Sequence, residues 1–142
     1  MTREEILAQI DRSWANFTEA IAGLPADRLG EPGVSGHWSA KDVIGHVAFW
    51  DRFSAEQARR QLSGEPEPEG MNDWQALNDR DHAAKADWDA SRILSELDAA
   101  HAEILTAYRA LPTLDPDHVK EDWEHYDEHA AEIHAWRERA GV

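Results

Sequence analysis

The 142-residue chain contains no cysteine, and this absence excludes several kinds of site. Without thiols there is no disulfide framework, no thiolate metal site and no cysteine nucleophile, so a metal ion must bind through nitrogen or oxygen. No apolar run approaches the roughly 18–20 residues of a membrane span, and the opening MTREEILAQI lacks the apolar core of a signal peptide. We therefore expect a cytoplasmic protein without a membrane partner.

Positive charge is also scarce. The chain has 14 lysine and arginine residues against 29 aspartate and glutamate residues, which gives a formal net charge of −15 at pH 7. Because a field of this sign repels a phosphate backbone, we expect no nucleic-acid partner. The same field concentrates cations near the surface, which suits a metal site but does not demonstrate one.

The length of the chain predicts one domain over residues 1–142. Seven tryptophans stand out in so short a sequence. Most are expected to fill the core, whereas those at helix edges can line a pocket and exposed ones favour a dimer interface.

Caps, helix breakers and apolar periodicity predict the first two helices. Thr2 and Glu5 read as a capping box, and the helix that follows extends to Gly23. Residues 24–38 carry too many prolines and glycines for regular structure. The second helix then covers about residues 40–62.

Two further helices are predicted after a long connection. The third begins after Asp89 or Ser91 and stops before Pro112, and the fourth starts at Asp115-Pro116 and ends near Gly141. Residues 72–88 are predicted to form a short helix or an irregular crossover. With no strand-like alternation, the pattern indicates an all-α four-helix bundle with a long crossover between helices two and three.

Two of the eight histidines, His125 and His129, have the spacing of ligands to one ion. Residues four apart lie on one helical face about one turn apart, while Glu124, Asp127 and Glu128 are expected to face water. Such a pair alone is weak support for a metal site, because many surface histidines share this spacing.

His46 is a candidate third ligand, since it borders the apolar face of helix two. A lone histidine there is more often a hydrogen-bonded core residue. Together with the pair it would form a three-histidine set with open positions, as in catalytic sites. The other five histidines are expected to be exposed or to cap locally: His37, His82, His101, His118 and His134.

The stretch GHWSAKDVIGHVAFW, residues 36–50, resembles the helix-two signature of the DinB-like superfamily, and more narrowly its ClbS/DfsB-type branch. In that branch a G-x-W-S-x-x-D-x-x-x-H motif precedes an asparagine-containing crossover, here NDWQALN at 72–78. A final helix similar to WEHYDEH at 123–129 follows. The resemblance covers nearly the whole chain and implies a bundle with up-down-down-up connectivity.

The resemblance also implies a site and a range of chemistries. The metal-binding histidines of the superfamily match His46, His125 and His129. Some members use nickel or zinc to activate a low-molecular-weight thiol as transferases or isomerases, while ClbS-like members hydrolyse a reactive cyclopropane-bearing metabolite. Some ClbS-like relatives do without a metal. The implied cofactor here is a divalent transition metal, zinc or nickel.

These observations favour a metal-dependent enzyme that acts on a small electrophilic molecule by thiol transfer or hydrolysis. Its catalytic residues are not identified by the sequence. Asp42 is expected either to orient His46 or to cap helix two. Four residues are candidates for contact with the substrate, although packing explains each of them as well: Trp38, Trp50, Asn78 and Tyr126.

Two other functions fit the same sequence. The bundle can sequester a metal or a small molecule without turnover, since no general base is evident apart from the metal site. It can also be an interaction protein that forms a homodimer through exposed tryptophans.

Overall fold

The computed structural model describes residues 1–142 and is all-α, which confirms the predicted fold class. Four of its helices correspond to the predicted four, and a fifth lies in the crossover. None of the five combines the length and the apolar character that a membrane-spanning helix needs. In chain order they are α1 Arg3–Ile21, α2 Ala40–Ser63, α3 Trp74–Ala84, α4 Ala90–Ala110 and α5 Pro116–Ala140.

The start of each of the first two long helices is a capping box. At α1, Glu5 N donates to Thr2 Oγ1 at 3.1 Å and Thr2 N donates to a Glu5 carboxylate oxygen at 2.8 Å. At α2, Asp42 N donates to Ser39 Oγ at 3.1 Å, and Ser39 N donates to Asp42 Oδ2 at 2.9 Å. Both boxes satisfy amide groups that have no partner within the helix.

Aspartates cap the remaining helices. Asp89 accepts from the third helical amide of α4, which decides between the two predicted starts of that helix. Asp115 caps α5 with Pro116 at the first helical position, as predicted. Gly141 ends α5 at φ 70°, a left-handed conformation that favours glycine.

By its contacts the chain groups into two compact units. One comprises Met1–Val43 and Thr113–Val142, and the other comprises Ile44–Pro112. The boundary falls inside α2, so the first turn of this helix belongs to one unit and the rest to the other. The assignment of residues 1–142 to a single domain stays a prediction.

In the unit formed by the two chain ends, α1 packs against α5. A polar contact at Asp127 joins the two helices: its carboxylate accepts from Ser13 Oγ at 3.0 Å and from Asn16 Nδ2 at 3.1 Å. The expectation that Asp127 faces water was wrong, because a buried serine on α1 meets it. The apolar core of this unit includes Ile6, Ile10, Phe17, Val119, Tyr126 and Ile133.

In the unit formed by residues 44–112, α3 is attached to α2 by polar contacts more than by apolar packing. Only Leu77 of α3 is buried. The indole N–H of Trp50 donates to Asn78 Oδ1 at 2.8 Å, and Lys85 Nζ, at the end of α3, donates to the Gly45 carbonyl at 2.8 Å. The core of this unit includes Ile44, Val47, Ile93, Leu97 and Ile104.

An ion pair also connects α2 with α4. Arg52 binds both carboxylate oxygens of Glu96, at 2.6 and 2.7 Å. The hydrogen bond from this guanidinium lowers the pKa of Glu96 below its ordinary value.

Candidate metal centre

Helix α5 presents His125 and His129 as an adjacent pair. Their Nε2 atoms lie 2.9 Å apart, and the rings meet nearly edge to face with centroids separated by 4.4 Å. His129 is buried, at 7% exposure, and His125 is half-buried. The four-residue spacing therefore brings the two ring nitrogens together as predicted.

One carboxylate on α5 contacts the pair. Glu132 Oε1 lies 2.5 Å from Nδ1 of His129, the ring nitrogen opposite to the one that meets His125. Glu132 was not among the predicted site residues. Its position three residues after His129 is a usable signal, because residues three apart are neighbours on a helix.

His46 lies in the first half of α2 and is half-buried. Its ring stands edge-on to Trp50, with centroids 6.5 Å apart. The preceding residue, Gly45, is buried, and a Cβ there would lie 3.0 Å from Ile93 Cδ1 and 3.2 Å from Lys85 Cδ. Glycine is thus the residue that lets α2 approach its neighbours at the turn carrying His46.

The three histidines lie near one another and can bind a metal ion. One potential ligand atom from each of His46, His125 and His129 falls within 4.8 Å of the others. Two imidazole nitrogens on one zinc ion, each at about 2.0–2.1 Å, are separated by roughly 3.0–3.4 Å. The 2.9 Å between His125 and His129 is close to that separation. The donor set thus fits an ion that prefers imidazole, such as zinc, nickel or copper.

Asp42 performs the cap function that was one of its two predicted roles. Its carboxylate accepts from the Ser39 amide, which completes the capping box at the start of α2. The other role, orientation of His46, stays a prediction.

The four residues predicted to contact a substrate occupy different environments. Trp38 is half-buried just before α2, and the half-buried Trp50 and Asn78 are hydrogen-bonded to each other. Tyr126 is fully buried and packs edge to face on Trp14, with centroids 5.3 Å apart. Substrate contact by any of them stays a prediction, and core packing describes Tyr126 best.

Of the five histidines outside the triad, three are exposed as expected. His37, His118 and His134 are exposed and His82 is half-buried. His101 is only 6% exposed, and its Nδ1 lies 3.7 Å from a carboxylate oxygen of the buried Asp51. The expectation for His101 was wrong, because α4 turns it toward a buried carboxylate.

A buried lysine, Lys85, lies near the turn that carries His46 and was not among the predicted site residues. Lys85 Nζ pairs with Asp81 at 2.8 Å, and the ammonium lies 5.8 Å from the ring centroids of Phe49 and Trp88. Burial raises the pKa of Asp81, and the hydrogen bond from Lys85 opposes this rise. A single lysine in an alanine-rich segment carries no sequence signal for such a role.

The sequence profile of the DinB superfamily matches residues 9–139, which is nearly the whole chain. The chain belongs to the DinB superfamily. This membership confirms the resemblance seen in the helix-two motif. None of the curated proteins compared with this DinB-superfamily chain matches it.

Two solved structures share the fold of this DinB-superfamily protein. An uncharacterised protein from Escherichia coli UTI89 superposes with a TM-score of 0.85 at 13% identity, over 99% of this chain and 95% of the other. The colibactin self-resistance protein ClbS, crystallised with double-stranded DNA, superposes with a TM-score of 0.82 at 12% identity, over 96% of each chain. At these identities the likeness concerns the fold alone.

The expectation that nucleic acid is excluded as a partner was wrong. The ClbS structure contains double-stranded DNA, so a protein with this fold is compatible with a duplex. Net charge was a poor guide, because contact with DNA depends on the local charge of the contacting surface. A sum over the whole chain does not describe that surface.

Proposed function

We propose that this DinB-superfamily protein is a metal-dependent enzyme that acts on a small electrophilic molecule, by thiol transfer or by hydrolysis. The observation that carries the proposal is the proximity of three imidazoles, from His46, His125 and His129, in a chain with no cysteine. They would hold a divalent transition metal, zinc or nickel. A bound ion supplies Lewis acidity, which lowers the pKa of a water or thiol toward neutrality.

The chain's own residues would bind and orient the substrate. Trp50 packs with Phe49 and Phe53 at centroid distances of 5.1 and 4.8 Å, and all three rings are half-buried. Such rings offer an apolar surface to a small molecule. Asn78 uses its carbonyl to hold the Trp50 indole, so we propose that this bond sets the angle at which Trp50 meets a substrate.

The first experiment measures metal binding by protein purified without an affinity tag. After loading with zinc or nickel and desalting, we expect about one equivalent of metal in the parent, since one triad holds one ion. The variants His46→Ala and His129→Ala should lose most of it. His134→Ala is the matched control, because His134 is exposed on the same helix as His129 and should leave the content unchanged. Less than about 0.2 equivalents in the parent would exclude the metal site.

The second experiment asks whether bound metal supports turnover. The parent and His46→Ala are compared on panels of electrophiles, each with and without a low-molecular-weight thiol. Turnover that requires both metal and thiol supports transfer, and turnover with metal alone supports hydrolysis. If the parent binds metal but the parent and His46→Ala turn over the electrophiles at equal rates, the enzyme proposal gives way to sequestration of the metal or of a small molecule. Light scattering on the same samples distinguishes a monomer from the predicted homodimer.

Binding of double-stranded DNA is a second candidate function, and the crystal structure of ClbS with a duplex favours it. The test is the fluorescence anisotropy of a labelled duplex titrated with the protein at low salt. Binding that weakens steeply as salt is added indicates contacts with phosphates. An anisotropy that stays unchanged to high protein concentration would remove this candidate.

A further inference from the structure

The contact between Glu132 and His129 determines which ring nitrogen carries the proton. An ionised carboxylate has only acceptor oxygens, so Nδ1 of His129 must donate across the 2.5 Å that separates it from Glu132 Oε1. A neutral imidazole carries one proton. With that proton on Nδ1, the Nε2 atom of His129 keeps its lone pair.

The Nε2 lone pair of His129 is on the side of the ring that faces His125. Nε2 of His129 lies 2.9 Å from Nε2 of His125, a distance at which the His125 N–H donates to it. The same lone pair would bind an ion shared by the histidines. The carboxylate therefore holds the ring in the tautomer that ligation requires.

The other nearby acids on α5 do not take this position. Asp127 accepts hydrogen bonds from Ser13 and Asn16 of α1, and Glu128 is exposed. Glu132 is half-buried and one helical turn beyond His129, where its side chain reaches the ring directly.

From this geometry we infer that Glu132 is a positioning residue, which fixes the tautomer and the orientation of His129 and thereby strengthens metal binding at the triad. The second part of this inference rests on the proposed metal site. Carboxylates that accept from the outer nitrogen of a ligating histidine raise its basicity as well as orient it, and their loss typically weakens metal binding about 10–100-fold.

The tautomer is tested first, without metal. Nitrogen NMR of histidine-labelled protein at mildly alkaline pH distinguishes the two neutral forms of His129. We expect the Nδ1–H form in the parent, its retention in Glu132→Gln, whose amide oxygen still accepts, and a mixture of both forms in Glu132→Ala. A parent with the proton on Nε2 of His129 would overturn the inference.

Metal affinity is then measured by competition with a chelating dye. We expect Glu132→Ala to bind zinc about 10–100-fold more weakly than the parent, with partial rescue in Glu132→Gln. Glu124→Ala is the matched control, because it removes the same charge from an exposed position on α5, one residue before His125 and five before His129, where a side chain points away from both rings, and its affinity should stay near that of the parent. If Glu124→Ala and Glu132→Ala weaken zinc binding equally, the effect is one of lost charge and the positioning role is overturned. If the parent binds no metal, the proposed function fails, while the NMR result still decides whether Glu132 fixes the ring.

Discussion

Replacement of Lys85 by methionine tests the buried ion pair that attaches the crossover helix. Methionine keeps an apolar stem of similar length but removes the ammonium, which pairs with Asp81 and donates to the Gly45 carbonyl at 2.8 Å. The side chains of Lys85 and Asp81 are only 11% and 14% exposed. The substitution therefore leaves a nearly buried carboxylate without its cation.

Two limits set the expected loss in the free energy of unfolding. Removal of one partner from a fully buried pair costs about 3–5 kcal/mol, and the partial exposure of this pair places the cost at the lower end. Asp81 can also avoid the cost of a buried charge by taking up a proton. From its ordinary pKa of 3.8, protonation near pH 7 costs roughly 4 kcal/mol at about 1.4 kcal/mol per pH unit, so it sets an upper bound. We expect Lys85→Met to lower the free energy of unfolding by about 2–3 kcal/mol near pH 7.

The effect should depend on pH, and the sign is determined by Asp81. Burial raises the pKa of this carboxyl in the folded chain, and the loss of Lys85 raises it further. A raised pKa favours the protonated form in the folded state. The penalty is therefore complete above the folded pKa, shrinks as the pH falls below it, and is gone below the ordinary pKa of 3.8. The difference in the free energy of unfolding between parent and variant should narrow to about 1 kcal/mol near pH 4, and this remainder comes from the lost hydrogen bond to the Gly45 carbonyl.

The assay is urea denaturation followed by tryptophan fluorescence at both pH values. Lys120→Met is the matched control, because it removes one positive charge from an exposed site and should change stability by less than about 0.5 kcal/mol. The double variant Asp81→Asn with Lys85→Met should recover part of the loss, since no buried charge remains. Equal stability of Lys85→Met and Lys120→Met near pH 7, or a gap that does not narrow in acid, would refute this reasoning.

Three further predictions concern stability and use the same assay. Gly45→Ala should lower the free energy of unfolding by about 1 kcal/mol, because the new Cβ lies 3.0 Å from the buried Ile93 and this crowding outweighs the better helix propensity of alanine. A stabilised variant would contradict this prediction. Arg137→Met should cost about 1–2 kcal/mol, because the guanidinium donates to two carbonyls at the end of α1, at 2.9 and 2.7 Å. Arg52 lowers the pKa of Glu96, so the ion pair stabilises the folded chain above the ordinary pKa of 4.5, and this stabilisation is lost as the pH falls through the pKa of folded Glu96. Glu96→Gln should therefore make the free energy of unfolding less dependent on pH in acid.

The sequence predicted the long helices well because their ends are determined locally. The capping box at Thr2 and the Asp115-Pro116 start are satisfied by neighbours within a few residues, and both were found where expected. For α3 the sequence does not decide between a short helix and an irregular crossover, because its apolar pattern is weak and only Leu77 is buried. It is attached by the Trp50–Asn78 and Lys85–Gly45 contacts, which join residues far apart in the chain.

In the candidate site, too, contacts between residues close in sequence were predictable and those between distant residues were not. The spacing of His125 and His129 predicted their contact, because both residues lie on one helix. No spacing rule relates them to His46, which sits some 80 residues earlier by sequence number and is a candidate ligand because it borders an apolar helix face and matches the family motif. Distances across elements depend on the packing of the whole chain, and a single sequence does not reveal them.

Glu132 shows that helical spacing holds more information than the ligand pair alone. Once a histidine on a helix is a candidate ligand, the acids three and four residues away can reach its ring, whereas those one or five residues away point elsewhere. Applied to His129, this rule selects Glu132 and rejects Glu128. In the structure Glu132 contacts the His129 ring, whereas Glu128 is exposed. The residues that orient a ligand are thus predictable from the ligand's own helix, even where the ligands contributed by other helices are not.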